Sequence, residues 1–293
     1  MNRILVTGIN SPLGQAVGRR LQAEGLTVVG TVRSSKISMQ GLPANEIIAL
    51  DLEDKNSFTN ITGPYDAFVH VAAASTGTPE DLMKFTGLGT LHLVNQAVKL
   101  GAKRIIHISG MDVYGKISIP TVNENTKPDY QNPYGVAKWA AESYVARASE
   151  MIEGISIRSP AIAGKNHLRH FLSRTLQKML TKDQVIEAFN KDFYFNNIVH
   201  ENVLSNFVLK LLSETKFPKL QALVVGSNEP MRLEDIFGYL AKITKFKGEI
   251  KWSSSSTRPF DIDFSTSVAC GYVPTTVSET LRLWAKELGL SYF

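Results

Sequence analysis

The chain has 293 residues, 43% hydrophobic and 20% charged, with a net charge of +5: room for one large domain or two joined ones, and a charge that suits an anionic ligand. The charges are scattered, with no Lys/Arg run interleaved with aromatics, which argues against nucleic acid, and no apolar stretch approaches the ~18 residues of a membrane span. A single Cys270 excludes an internal disulfide and any CxxC metal site, so no metal is expected, and it fits a reducing, cytoplasmic compartment.

In chain order, the apolar runs Arg3–Thr7, Thr27–Val32, Ile47–Asp51, Ala67–Ala72, Arg104–Ser109 and Ile155–Arg158 read as strands. Amphipathic stretches separate them. Leu13–Gln22 places Leu13, Val17 and Leu21 at intervals of four, and Leu91–Leu100 puts Leu91, Val94, Ala97 and Val98 on one stripe. Strand and helix in alternation predict a parallel sheet with right-handed crossovers. A late strand, Ala222–Gly226, is expected to join it. The second half is less regular: His167–Leu180, Val203–Leu212, Leu233–Ile243 and Thr280–Leu288 read as helices, and Lys247–Trp252 as a short strand.

The segment Gly8-Ile9-Asn10-Ser11-Pro12-Leu13-Gly14 follows the first strand and opens the first helix. Such a turn offers backbone N–H groups and a positive helix end to a pyrophosphate. Gly8, Asn10, Ser11, Pro12, Leu13 and Gly14 are therefore the expected cofactor-binding residues. Gly8 allows a tight turn and Gly14 close helix–strand packing. Ser11 replaces the middle glycine; it can donate a hydroxyl to phosphate, but its Cβ restricts the approach.

The end of the second strand discriminates between cofactors: NAD binders place an acid there, NADP binders an arginine. Here it reads Thr31-Val32-Arg33-Ser34, with no acid. Arg33 is expected to pair with a 2′-phosphate, supported by Ser34, which favours NADP over NAD; the alternative is a solvated arginine. Asp51-Leu52 is expected to meet the adenine edge, with a helix N-cap as the other reading of Asp51.

Tyr134 and Lys138 stand four apart in Pro133-Tyr134-Gly135-Val136-Ala137-Lys138, a spacing that puts both on one helix face. An ammonium at that distance favours the phenolate and is expected to lower the phenol pKa from about 10. The pair then serves as proton donor or acceptor beside a carbonyl. Alone it is a weak signal; the preceding glycine turn supplies its context.

Together these residues resemble the extended short-chain dehydrogenase/reductase family, the group of sugar-nucleotide epimerases, dehydratases and ketoreductases. Further matches run nearly end to end: His70-Val71-Ala72-Ala73, Ile108-Ser109…Val113-Tyr114-Gly115, Arg158…Gly164, Asn197-Ile198-Val199-His200-Glu201-Asn202-Val203, and Arg258-Pro259-Phe260-Asp261. The resemblance implies an α/β fold, a Rossmann-type doubly wound parallel sheet of residues 1–164 and 196–228. A small, mostly C-terminal substrate-binding α/β subdomain would comprise 165–195 and 229–293. It makes Tyr134 and Lys138 the catalytic pair. It sets Val71, Ala72, Ala73, Pro160 and Ala161 against the cofactor, and Ser75, Thr76, Asn196, His200, Arg258 and Asp261 against the substrate.

The departures matter as well. Where the family has Ser or Thr, four residues before the Tyr of Val113-Tyr114-Gly115, stands Gly110. Ser109 is adjacent but should point to the other face of a regular strand. Asp112 either donates or accepts a proton, with a raised pKa, or only bonds a loop. Ala161, Asn196 and Thr86 replace an Asn, an Arg and a structural Asn that members commonly carry. The implied activity is NADP-dependent reduction of a keto group on a nucleotide-linked sugar, with an NAD-dependent sugar-nucleotide epimerase or a non-enzymatic NADP sensor as the alternatives. A homodimer through helices of the Leu82–Leu100 and Tyr134–Ala148 type is an expectation by analogy.

Overall fold

The computed structural model describes residues 2–34, 40–129, 132–182, 184–215, 218–255 and 260–290. Its main elements are β1 (Arg3–Thr7), α1 (Pro12–Ala23), β2 (Thr27–Val32), β3 (Glu46–Ala49), β4 (Ala67–His70), α2 (Gly89–Lys99), β5 (Arg104–Gly110), α3 (Pro133–Arg147), β6 (Glu153–Ser159), α4 (Phe171–Leu180), α5 (Glu201–Ser213), β7 (Ala222–Val224), α6 (Leu233–Thr244) and α7 (Val277–Glu287).

The seven strands form one parallel sheet in the order β7-β6-β5-β4-β1-β2-β3. Near-continuous apolar strands such as β1, β4 and β5 suit a sheet covered on both faces, and separate clusters of buried side chains, led by Val6, Ile106 and Ile157 in one and Leu5, Phe68 and Ile105 in the other, cover it. The strand order turns back between β1 and β4. Their carboxyl ends therefore open a crevice, where ligands bind in doubly wound folds.

A third core lies apart from the sheet. Leu172, Leu176, Ile198, Phe237, Leu240, Leu281 and Trp284 pack together there. It joins α4, α6 and α7 to two small parallel pairs, Ala161–Ala163 with Ile198–His200 and Val185–Phe189 with Glu249–Ser253. The proposed substrate-binding subdomain rests on this core.

Some boundaries differ from expectation for identifiable reasons. β4 ends at His70 rather than Ala72, because Thr7 Oγ1 accepts from both Val71 N and Ala72 N at 3.1 Å. β3 ends at Ala49, and the chain at Asp51 instead enters a turn in which Ser57 Oγ donates to Asp51 O at 2.7 Å. The helix expected from His167 begins at Phe171, since His170 caps it by accepting from Ser173 N. Strand Val185–Phe189 was not foreseen; its alternating exposure marks it as half-buried.

Candidate active site

The turn after β1 is built for close approach. Gly8 has φ +68°, in the left-handed region that favours glycine, and a β-carbon there would stand 3.1 Å from Ala72 Cα. A β-carbon at Gly14 would collide with the Gly8 carbonyl. Ser11 is the N-cap of α1: its Oγ accepts from Gly14 N at 3.0 Å, and Pro12 occupies the first helical turn. The cap leaves the Ser11 hydroxyl proton available as a donor, and Leu13 N, in the first turn, has no intrahelical acceptor. Asn10 is exposed at the tip. This cradle, too tight for side chains at Gly8 and Gly14, fits a dinucleotide pyrophosphate.

A buried relay holds the adjoining loop. Thr7 Oγ1 accepts two amides, so its proton goes to His70 Nδ1, 2.7 Å away. His70 Nε2 then donates to Thr90 Oγ1 at 2.9 Å, whose own proton goes to Thr86 O at 2.5 Å. Burial, with Lys138 nearby, pushes the His70 pKa down to about 3, so the ring is neutral. Thr86 Oγ1 bonds both N and O of Ala74, which ties the helical segment before α2 to the loop after β4. Val71 and Ala72 are thus locked beside Gly8; their amides serve Thr7, which leaves carbonyls and side chains to face a cofactor.

Tyr134 and Lys138 lie on α3, which Asn132 caps by accepting from Tyr134 N at 3.0 Å. Gly135 allows α3 to press on the turn after β5, for a β-carbon there would collide with the Asp112 carbonyl. Lys138 Nζ donates to Ile108 O at 2.7 Å and lies 6.0 Å from the Tyr134 ring centroid. Burial lowers the ammonium pKa to about 8, against the pull of Glu142 and Asp112.

The expected acidification of Tyr134 is not found. Burial and the Asp112 carboxylate raise the phenol pKa, and Arg169 only partly opposes them. The physical reason is first the burial of the phenol and then the Asp112 carboxylate near it, while Lys138 gives its ammonium to the Ile108 carbonyl. Asp112 Oδ2 lies 3.3 Å from where a β-carbon would project at Gly110, so a carboxylate stands beside the place of the family's hydroxyl. Packing around that carboxylate raises its own pKa, although the residue keeps an open face to solvent. Ser109 is buried opposite Arg158 in the β5–β6 register, and its Oγ has no partner among the described residues.

The remaining expected residues separate into two groups. Arg33 follows β2, with its guanidinium 4.1 Å over the Phe85 ring, and Ser34 comes next. Asp51 Oδ1 accepts from Glu53 N at 3.1 Å, which answers the cap reading with a local turn, and Leu52 is a core residue packed against Gly89. Ala73, Pro160 and Ala161 flank the carboxyl ends of β4 and β6, and Ser75 and Thr76 are exposed beyond Ala74.

Two residues expected at the substrate make structural contacts. His200 is fully buried; Nδ1 accepts from Asn202 N and Nε2 faces Glu287 at 3.5 Å, so it caps α5 and supports α7. Asn196 is buried and clamps Ile262 through both its backbone groups, at 2.9 and 3.0 Å. Both side chains are buried and engaged in holding neighbouring elements together. Asp261 is exposed on the short strand paired with Thr121–Val122. Arg258 lies outside the described residues.

Three features escaped the sequence reading. Thr7 and His70 form the relay. Arg158 and Glu142 form a buried ion pair at 2.7 Å that fastens α3 to β6. Arg169 reaches Ser75 across the crevice. Only the Arg158–Glu142 pair left a trace, two charges in otherwise apolar segments.

A doubly wound parallel sheet, a glycine cradle at its switch point and a Tyr/Lys pair over the crevice define a nicotinamide-dependent enzyme of the short-chain dehydrogenase/reductase type. The model of the NAD dependent epimerase/dehydratase family matches residues 4–192. The chain belongs to that family. Among curated proteins it is 29% identical over 160 residues to UDP-glucose 4-epimerase 3 of Oryza sativa subsp. japonica, a match covering 48% of this chain and 43% of that protein. It is 25% identical over 205 residues to uronate dehydrogenase of Pseudomonas putida, covering 68% of this chain and 74% of the relative. In fold it matches the UDP-glucose 4-epimerase of Thermotoga maritima solved with UDP-glucose, with a TM-score of 0.81, 19% identity and 98% of each chain covered. Among the described residues no helix is long and apolar enough to cross a membrane, and no cluster of His, Cys, Asp or Glu could hold a metal.

Proposed function

We propose that the protein reduces a keto group on a sugar, in nucleotide-linked form, with NADPH, and that Tyr134 donates the proton. The observation that carries this reading is the placement of Tyr134 and Lys138 on one face of α3, with Lys138 Nζ held on Ile108 O at 2.7 Å at the end of β5. Burial and Asp112 keep the phenol protonated before it meets a carbonyl, the form that a proton donor needs.

The turn from Gly8 to Gly14 would hold the pyrophosphate, and Arg33 the 2′-phosphate. The stack on Phe85 orients the Arg33 guanidinium and leaves its N–H edge for phosphate oxygens. NADPH, when bound, supplies hydride to the carbonyl carbon. Lys138 keeps two N–H donors beyond the one given to Ile108 O, enough to bond a ribose hydroxyl. Asp112 accepts a hydrogen bond from a hydroxyl beside the reacting carbon, in place of the donor a serine at 110 would have supplied. Tyr134 protonates the carbonyl oxygen as its charge develops.

The test is NADPH oxidation across a panel of nucleotide-linked keto sugars. Tyr134→Phe is expected to lower turnover about 10²- to 10⁴-fold while NADPH binding is retained; unchanged turnover would remove Tyr134 from the mechanism. A second reading, sugar-nucleotide epimerisation, is favoured by the identity to the rice epimerase. NAD that copurifies, with inversion of UDP-glucose and no net cofactor change, would establish it instead.

A further inference from the structure

The turn Met83–Leu88, which runs into α2, is π-helical: Gly89 N donates to Lys84 O, five residues back. Such a turn holds one residue more than an α-helical one and occurs mostly at functional sites. It is fixed at both ends. Thr78 opens the helical run with a capping box to Asp81, and Gly89 lies so close to Leu52 that a β-carbon there would collide with it. The middle residues, Phe85 and Thr86, are both buried, and each serves a different part of the sheet's carboxyl edge. Thr86 Oγ1 bonds N and O of Ala74, after β4. Phe85 belongs to the core cluster of Val29, Leu50 and Leu52, and its ring lies under the Arg33 guanidinium, 4.1 Å from the centroid.

Arg33 itself is exposed, and among the described residues no carboxylate pairs with it. Residues 33–45 contain no acid. An arginine in that setting samples many rotamers, and ordering it for a ligand costs entropy. Here the flat face of the guanidinium rests on a ring that the core holds rigid. The stack settles its plane and uses none of its five in-plane N–H donors. We propose that Phe85 is a positioning residue for cofactor selectivity: it presents Arg33 to the 2′-phosphate, so that discrimination between NADPH and NADH belongs to the stacked pair and not to the arginine alone. The proposal rests on the reading of Arg33 as the 2′-phosphate contact. A purely packing role is met by any apolar side chain of similar size; only an aromatic face attracts the cation.

Fluorescence titration gives the NADPH and NADH affinities of the parent protein, Phe85→Leu, Arg33→Ala and the double variant. Phe85→Leu is expected to weaken NADPH about 3- to 30-fold, the range of a cation–π contact from exposed to desolvated, and to leave NADH unchanged. On the Arg33→Ala background the same substitution should cost NADPH nothing further, because the interaction it removes is already gone. Phe85→pentafluorophenylalanine keeps the shape of the ring and reverses its quadrupole, so it should reproduce the loss with the packing intact. Should Phe85→Leu fail to fold, the fluorinated ring decides the matter alone. Equal losses of NADPH and NADH, an unchanged NADPH affinity, or a full further loss on top of Arg33→Ala would overturn the proposal. A parent protein that prefers NADH would remove the Arg33 assignment, and the proposal with it. A parent that prefers NADPH and is indifferent to Phe85 would sink the proposal and leave that assignment standing.

Discussion

The Asp112 carboxylate lies 3.3 Å from the position a β-carbon would take at Gly110. A hydroxyl that could stabilise an oxyanion is thus exchanged for an anion that opposes a phenolate at Tyr134. The substitution changes which protonation state the site favours, so its consequence is read in pH.

Asp112→Asn removes a charge that raises the Tyr134 pKa. The phenol must be protonated to act as the acid, so the reduction rate falls as pH rises through its pKa. In the variant that alkaline limb is expected at lower pH than in the parent enzyme. A pH profile of kcat for NADPH-dependent reduction checks this; an unmoved limb would separate Asp112 from Tyr134.

Arg33→Ala should weaken NADPH about 10- to 100-fold, the worth of a charge-assisted contact with the 2′-phosphate. NADH, which lacks that phosphate, should bind as before. Fluorescence titration of both cofactors is sufficient, and a parent enzyme that prefers NADH would refute the assignment outright.

Lys138 is buried with its pKa lowered from 10.5 to about 8. A base whose folded pKa is depressed destabilises the fold fully below the folded value, and the penalty fades as pH rises from about 8 to 10.5. Such a depression amounts to roughly 3 kcal/mol, and loss of the hydrogen bond to Ile108 O offsets about 1 kcal/mol. Lys138→Met should therefore be about 2 kcal/mol more stable near pH 7, with the advantage lost above pH 10.5 and catalysis abolished. Denaturant midpoints at several pH values measure it.

Arg158 and Glu142 pair inside the protein, and Arg158 Nη1 also donates to Tyr114 OH at 2.9 Å. Burial works against the Arg158 charge, yet Glu142 and Tyr114 raise its pKa overall. Glu142→Ala would strand that charge and should cost about 3–5 kcal/mol. Because the pair anchors the helix of Tyr134, a fall in the denaturation midpoint should come with a loss of turnover.

The apolar periodicities by themselves determined the sheet's seven strands, their parallel sense and the place of the glycine turn. Those signals are local: a strand buried on both faces reads as a continuous apolar run, and a turn at φ > 0 needs a glycine such as Gly8. The Tyr134/Lys138 pair was legible for the same reason, since four residues on a helix fix two side chains on one face. What surrounds that pair was decided only in three dimensions. Asp112 is set against Tyr134 by the packing of Gly135, Arg169 meets Ser75 from 94 residues away, and His200 and Asn196 are turned into the core. Charge and burial act through space, across elements that sequence order keeps apart, so the direction in which a titrating group shifts emerges only when the chain closes around it.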